Sequence, residues 1–270
     1  MVQPHIEQRT RMTQAYDIDS WHTFRARREA ELVEPHGWLT LQGFHWLPTK
    51  PGPLPGLPGT WSATQAEARL DATAIDGLTI DGVTLDGAST LTVAEAGRLP
   101  WVDFGEVQVE LLRRGGRLAI RLRAESSAAR EAFDGVEHFD FDPDWVIEGT
   151  YEPYDELRPT EVATIRPDLR QSVKASGEVR FTLDGRPQRL TVTSMKYGLG
   201  VEFHDPTNGD ETPAWRQLKF AEPDPDGTVV LDFNRTVDMW FAFTAYATCP
   251  APIEGNHVTV PVRAGEKTPR

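Results

Sequence analysis

From residue 104 onward, alternation of apolar and polar residues dominates the chain, and this pattern limits how the chain can fold. Apolar side chains recur at every second position over 107–111 and, after the turn sequence RRGGR, over 118–122. Successive side chains of a strand point to opposite faces, so the pattern predicts a hairpin with one apolar and one charged face. The same alternation returns over 179–183 and 199–203.

Helical periodicity is concentrated near the start of the chain. The segment SWHTFRARREAEL predicts a helix with Asp19 or Ser20 as its N-cap, and Pro35 and Gly37 lie just beyond its end. We interpret the charged residues of this helix as its solvent-exposed face: Arg25, Arg27, Arg28, Glu29 and Glu31.

Together these patterns predict an all-β, mainly antiparallel protein with two packed β subdomains, sandwich or barrel-like, and an N-terminal helix. We expect an arm and helix over 1–35, a first β subdomain over 36–160 and a second over 161–270. The boundary is placed where alternation fades and proline and charge accumulate, near 155–175. We expect the two halves to form one continuous unit.

Asp-Gly pairs recur at 76, 81 and 86. Because Asp-Gly tolerates positive φ, we interpret the pairs as turns between short strands that contain Ile75, Ile80 and Leu85. The spacing of these acids does not match a calcium-binding loop.

Composition excludes several classes of partner. The chain carries 28 Lys+Arg against 41 Asp+Glu, a net charge of -13. This charge repels phosphate backbones and anionic lipid, so we expect no nucleic-acid or membrane partner. A single cysteine excludes an intrachain disulfide and a cysteine-rich zinc site. The chain lacks an apolar run of ~18 residues and a secretory signal, which predicts a cytoplasmic protein.

Motifs for cofactors are also absent. The sequence contains no nucleotide-binding glycine motif, nucleophile elbow or HExxH, so we expect no cofactor.

One segment could hold a metal ion. In HFDFDPDW, the side chains of His138, Asp140 and Asp142 fall on one side of an extended segment and would suit a divalent metal. We instead interpret Phe139 and Phe141 as facing the core and the acids as facing water, and predict no metal.

The C-terminal segment carries a set of motifs that resembles a known family. DFNR at 232–235 is followed by FAFTAYATCPAP, then Asn256, then AGEK at 264–267. With GWLTLQGFHWL and LRAESSAAREAFDGVEHFDFDPDW upstream, the chain resembles the prokaryotic domain-of-unknown-function family numbered 1684 over roughly 20–267. No activity defines that family, so the resemblance implies no function.

The chain departs from that family's pattern at several positions. TVDMWF at 236–241 stands where the family has a Tyr-Asn-Pro-Pro-Cys segment, so one family cysteine is missing. Ala124 stands where the family has an aspartate. A mechanism that needs two cysteines therefore does not operate in this protein.

Our first hypothesis for function is a small-molecule ligand held in a pocket at the seam of the two β subdomains. Arg235 could hold a carboxylate or phosphate bidentately. Alternatively, the same polar group is an internal network that fastens the last strands, with Glu266 pairing with Arg235. The candidate ligand-binding residues are Asp232, Asn234, Arg235, Thr244, Tyr246 and Arg130.

Our second hypothesis is a cofactor-independent enzyme, most simply a hydrolase. Cys249 would be the nucleophile with His204 or His257 as base, or His204 would be a general base oriented by Asp205. The competing interpretation is that Cys249 is a small buried residue at the end of a strand. A purely structural or interaction role is the third alternative. No nucleophile–base pair is evident from spacing, which favours the binding hypothesis.

Overall fold

The alternating segments form antiparallel strands, which confirms the predicted all-β fold with an N-terminal helix. This computed structural model describes residues 17–195 and 197–269. Its helices are α1 (Ile18–Leu32) and the single turn α2 (Ala128–Glu131). The strands are β1 (Leu41–Trp46), β2 (Gly52–Leu54), β3 (Leu57–Ala63), β4 (Ala68–Ala72), β5 (Leu78–Ile80), β6 (Val83–Thr84), β7 (Gly87–Leu91), β8 (Arg98–Phe104), β9 (Val107–Arg114), β10 (Arg117–Ala124), β11 (Val146–Ala163), β12 (Arg170–Leu183), β13 (Arg186–Ser194), β14 (Leu199–Phe203), β15 (Arg216–Phe220), β16 (Thr228–Asp232) and β17 (Val237–Asp238).

Two sheets form the first half of the protein. A sheet in the order β1-β10-β9-β8-β5-β6 packs against a second sheet, β2-β3-β4-β7, and apolar residues of both fill the space between them. The predicted hairpin is β9–β10, and its turn residues Gly115 and Gly116 have φ of 57° and 73°. Glycine adopts these angles without a steric penalty, which explains the sequence RRGGR.

The second half is one seven-stranded sheet in the order β16-β11-β12-β13-β14-β15-β17 that surrounds its own apolar core. Strands β15 and β16 follow each other along the chain, but they do not pair with each other. β16 pairs with β11, whereas β15 pairs with β14 and, only at Arg216 and Gln217, with β17. The sheet is therefore open between β15 and β16.

The chain passes from the first two sheets to the seven-stranded sheet at a different place from the predicted boundary. The boundary between 160 and 161 lies within β11, which pairs with β12 along most of its length. The change of sheet falls between Ala124 and Val146 instead. Alternation fades near 155 because most side chains of β11 from residue 152 to 161 are exposed, so neither face of the strand needs to be apolar. The division into two folding units stays a prediction.

Helix α1 is capped by Asp17, and not by the predicted Asp19 or Ser20. Further local predictions are wrong as well. Arg25 and Arg28 of helix α1 are buried with Trp21 and Leu32, so this face of the helix is not in solvent. The charged face of the β9–β10 hairpin is buried at Glu110, Arg121 and Arg123. Ile75 lies in a 3-10 turn and is 93% exposed, so it forms no strand. On the helix face and on the hairpin, buried charges pair with each other, which a pattern of residue polarity does not reveal.

Candidate functional site

A pocket of about 580 Å³ lies beside helix α1 at the opening between β15 and β16. One face of the helix contributes Phe24, Arg27, Arg28 and Glu31, which are spaced three and four residues apart. The strands and the segments that flank them contribute the other wall: Tyr197, Gly198, Lys219, Phe220, Ala221, Glu222, Val230, Asp232, Arg235, Val237 and Trp240. The lining therefore combines aromatic and aliphatic side chains with charged groups of both signs.

Helix α1 is held at the pocket by a buried carboxylate. Glu266, in the AGEK motif, is fully buried, and its Oε1 accepts from Arg25 Nη1 at 2.8 Å and from Arg28 Nε at 3.1 Å. Its Oε2 accepts from the backbone N–H of Asp238 at 2.7 Å. The expected Glu266–Arg235 pair is not formed, since Glu266 pairs with Arg25 and Arg28.

The glycine beside Glu266 is required by the backbone. Gly265 has φ of 77°, and a Cβ at this position would lie 2.4 Å from the carbonyl oxygen of Thr236. The carbonyl of Gly265 accepts from the N–H of Phe139 at 2.9 Å. The AGEK motif is thus a tight turn that places the Glu266 carboxylate against helix α1.

The DFNR motif forms a short turn next to the pocket. Asp232 Oδ2 lies 2.8 Å from Arg235 Nε, and Arg235 Nη2 donates to Ser20 Oγ at 2.6 Å. Burial raises the pKa of Asp232, while Asn234 and Arg235 oppose that shift. Both Asp232 and Arg235 line the pocket, so two of the predicted ligand-binding residues reach it.

The other predicted ligand-binding residues do not line this pocket. Asn234 is buried behind it, where its side chain binds both the N–H and the carbonyl of Asp142. Thr244 Oγ1 accepts from the N–H of Tyr246 within a turn. Arg130 Nε donates to the carbonyl of Val33. Of these, Asn234 and Arg130 tie distant segments of the chain together.

Cys249 is buried in a small cluster with Trp215, Met239 and Ala247. Burial is the main cause that raises the pKa of its thiol to about 11, so the thiolate is scarce at neutral pH. No hydrogen bond or ion pair joins Cys249 to His204, Asp205 or His257 within the described residues. The geometry gives a cysteine nucleophile no support.

His204 and Asp205 are adjacent in sequence but have different partners. The His204 Nδ1 lies 2.9 Å from the carbonyl oxygen of Ala214. Asp205 is buried, and its Oδ2 accepts from Arg216 Nη2 at 3.0 Å, while its Oδ1 accepts from the N–H groups of Thr207 and Val262. Asp205 therefore fixes Arg216 and a loop, and it does not orient His204.

Two general features of the described chain bear on function. Residues 17–195 and 197–269 contain no group of three or more His, Cys, Asp or Glu side chains placed to hold a metal ion. Over the same residues, no helix has both the length and the apolar character that a bilayer crossing requires.

The fold and this pocket define an all-β protein with a helix-covered cleft, and the comparisons give its family. The chain belongs to the family described as "Protein of unknown function (DUF1684)", whose model matches residues 131–267, and this confirms the resemblance stated above. No curated protein matches the chain. Among solved structures, an uncharacterized protein from gene locus rrnAC0354 of Haloarcula marismortui, determined by solution NMR, is 30% identical with a TM-score of 0.43. The match covers 52% of this chain and 79% of that protein.

The contributions of helix α1 and β15 to the pocket were not predicted from the sequence. Lys219, Phe24 and Arg28 were not among the predicted site residues. A signal for Arg28 was present: positions 21, 25, 28 and 32 form one helix face, and it holds Trp21, Leu32 and two arginines. Lys219 had no such signal, because an exposed lysine on a strand is ordinary.

Proposed function

We propose that this protein binds a small molecule with an apolar body in the pocket beside helix α1. The observation that carries the proposal is the pocket itself. Its volume of about 580 Å³ lies within the range of roughly 300–1,000 Å³ that is typical of small-molecule sites. Its lining supplies apolar side chains for the body of a ligand and charged groups that could orient it.

The way helix α1 is attached also supports the proposal. The buried face of the helix uses two arginines that share one glutamate, together with a hydrogen bond from Trp21 Nε1 to the carbonyl of Asn234. Apolar side chains of similar volume would often attach a helix at least as strongly as such buried ions do. An ionic attachment instead fixes the helix in one position, which gives the pocket a defined wall.

The alternative of a hydrolase has no comparable support, since Cys249 is buried with a raised pKa and Asp205 is paired with Arg216.

The pocket of this proposal lies between α1 and the C-terminal sheet, and not at the predicted seam of the two β subdomains. A cytoplasmic location stays a prediction.

A thermal-shift experiment with an uncharged aromatic probe tests the proposal. Naphthalene-2-carboxamide should raise the melting temperature of the wild-type protein, because a ligand that binds only the folded state stabilises it. Val230→Trp places a large ring in the pocket and should abolish that shift. Val83→Trp is the matched control, because Val83 is 70% exposed on the edge strand β6 and does not line the pocket. An equal shift in both variants would refute the proposal.

A further inference from the structure

Arg28 is a fixed cation in the wall of the pocket. Its Nε and Nη2 bind Glu266, and Nη2 also donates to the carbonyl of Asp238 at 2.9 Å. The guanidinium lies over the ring of Trp240, 4.5 Å from the ring centroid. Its Nη1 makes no hydrogen bond to any residue that the structure describes. The guanidinium is therefore held by its other nitrogens, with one nitrogen left for a ligand.

Lys219 is a second cation in the same pocket. It forms no hydrogen bond or ion pair with the described part of the chain, and it lies close enough to Arg28 for the two charges to repel each other. Loss of hydration and that repulsion both lower the pKa of its ammonium, while Glu31 and Glu202 oppose the shift. Lys219 thus has no direct hydrogen-bond or ion-pair partner among the described residues, although Glu31 and Glu202 favour its charged form from a distance.

The groups behind the pocket pair with one another. Arg25 and Arg28 share the carboxylate of Glu266, and Arg25 also pairs with Glu29, whose Oε1 lies 3.4 Å from Arg25 Nη2. Burial and the charge of Glu266 raise the pKa of the nearby Asp238 well above its ordinary value. Arg28 therefore shares its carboxylate partner with a second arginine.

The rim of the pocket limits how much negative charge a ligand can carry. Glu31 and Glu222 line the pocket and are exposed, and they face outward together with Arg27. These carboxylates would repel a doubly charged phosphate more than a singly charged group. The body of the ligand would contact the apolar part of the lining, which includes Phe24, Val230 and Trp240.

We propose that the ligand of this pocket is an organic carboxylate, whose carboxylate group lies between Arg28 and Lys219 and whose apolar body lies against Phe24, Val230 and Trp240. This inference rests on the proposed function. It adds the chemical class of the ligand, and a singly charged anion complements the two cations without a large repulsion from the rim.

Three probes with one naphthyl body and different head groups test the proposal. Isothermal titration of the wild-type protein should show that naphthalene-2-carboxylate binds at least about tenfold more tightly than naphthalene-2-carboxamide, since a charge-assisted hydrogen bond is worth about that ratio. We expect 2-naphthyl phosphate to bind more weakly than the carboxylate. Lys219→Gln should reduce the preference for carboxylate over amide several-fold, because Arg28 remains, and leave amide affinity within about twofold.

The matched control is Lys174→Gln, which removes an exposed lysine from β12, outside the pocket lining. It should keep the full preference. If amide and carboxylate bind equally to the wild-type protein, or if both lysine variants lose the preference equally, the carboxylate proposal is wrong while pocket binding stands. Tighter binding of the phosphate would make the ligand a phosphate ester instead. If no probe binds, both proposals fail.

Discussion

Two clusters in this protein each place several arginines around one shared glutamate, but their surroundings differ. In the first, Arg25 and Arg28 share Glu266 beside helix α1. In the second, Arg98, Arg121 and Arg123 share Glu110 on the charged face of the β9–β10 hairpin. In both clusters several guanidinium groups share one carboxylate, so a shared carboxylate alone does not identify a ligand site.

The two clusters are connected by a pair of stacked rings. Trp240 lies under Arg28, and it stacks on Trp38 with ring centroids 4.7 Å apart and planes 6° apart. Arg121 and Arg123 lie within 5.5 Å of the centroid of the Trp38 ring. Cation–π contacts of this kind help to retain desolvated arginines. The stack is therefore a common support for both clusters.

The two clusters differ in whether an open pocket adjoins them. Arg28 lines a pocket of about 580 Å³, next to Lys219, which forms no ion pair with the described residues. Arg121 is fully buried, and its Nη1 has no hydrogen-bond partner within 17–195 and 197–269, with Glu110 Oε2 3.8 Å away. Burial and neighbouring arginines lower the pKa of Arg121 to about 9. A cation can receive a ligand only where an open volume adjoins it, as the pocket adjoins Arg28.

The largest effect is expected from Glu266→Gln. This change removes the carboxylate that the buried Arg25 and Arg28 share and leaves Arg25 only its longer pair with Glu29, so it should reduce the free energy of unfolding by about 3–5 kcal/mol. Urea denaturation measures the loss. Glu211→Gln is the control, because Glu211 pairs with the exposed Arg263 and should cost less than about 1 kcal/mol. Equal losses would show that Glu266 is not the main attachment of helix α1.

Glu110→Gln tests whether the second cluster is only structural. We expect a loss of about 3 kcal/mol, slightly smaller because Arg98 is half exposed and can be hydrated. The affinity for naphthalene-2-carboxylate, measured where the variant is folded, should not change. A large change in affinity would mean that the hairpin cluster, and not the cluster beside α1, contributes to the binding site.

The Cys249 thiol should make the free energy of unfolding depend on pH. Its pKa is about 11 in the folded protein against 9.0 for an ordinary thiol, so the folded state retains the proton longer than the unfolded state. The resulting stabilisation is complete below pH 9 and should decline by about 2–3 kcal/mol as pH rises to 11. Comparing wild type with Cys249→Ala by denaturation at several pH values isolates this decline. Identical pH profiles would contradict the buried, protonated thiol.

The smallest effect is expected at the rim of the pocket. Glu222→Gln should change the free energy of unfolding by less than about 0.5 kcal/mol, because the side chain is exposed. Removing its charge should raise the affinity for naphthalene-2-carboxylate about twofold at low salt and leave amide affinity unchanged. A decrease in carboxylate affinity would argue against a positively charged binding position.

The sequence predicted strands well and buried ions poorly, for a physical reason. Alternation depends on which face of a strand is apolar, so the β9–β10 hairpin and its Gly115–Gly116 turn could be predicted from local residues. Whether the charged face is in solvent depends on distant segments. Arg121, for example, is covered by the backbone of Tyr246 and the hydroxyl of Thr248, more than a hundred residues away.

The candidate site was only partly predictable for the same reason. Asp232 and Arg235 could be identified because they cluster in one short motif. Lys219 and Phe24 join them only because β15 and β16 separate and helix α1 lies beside the opening, which no local pattern indicates. The catalytic hypothesis also depended on distant contacts, since Asp205 pairs with Arg216 and not with its neighbour His204.

The most direct test of the pocket beside α1 is an NMR titration of the tryptophan side chains. Indole N–H signals of 15N-labelled protein would be recorded with naphthalene-2-carboxylate, with Trp240→Phe assigning the pocket signal. We predict that the Trp240 signal shifts most, Trp38 shifts less through the stack, and Trp61 and Trp101, which contact each other in the first core, do not shift. Unchanged Trp240 with shifts at Trp61 or Trp101 would contradict a binding site beside helix α1.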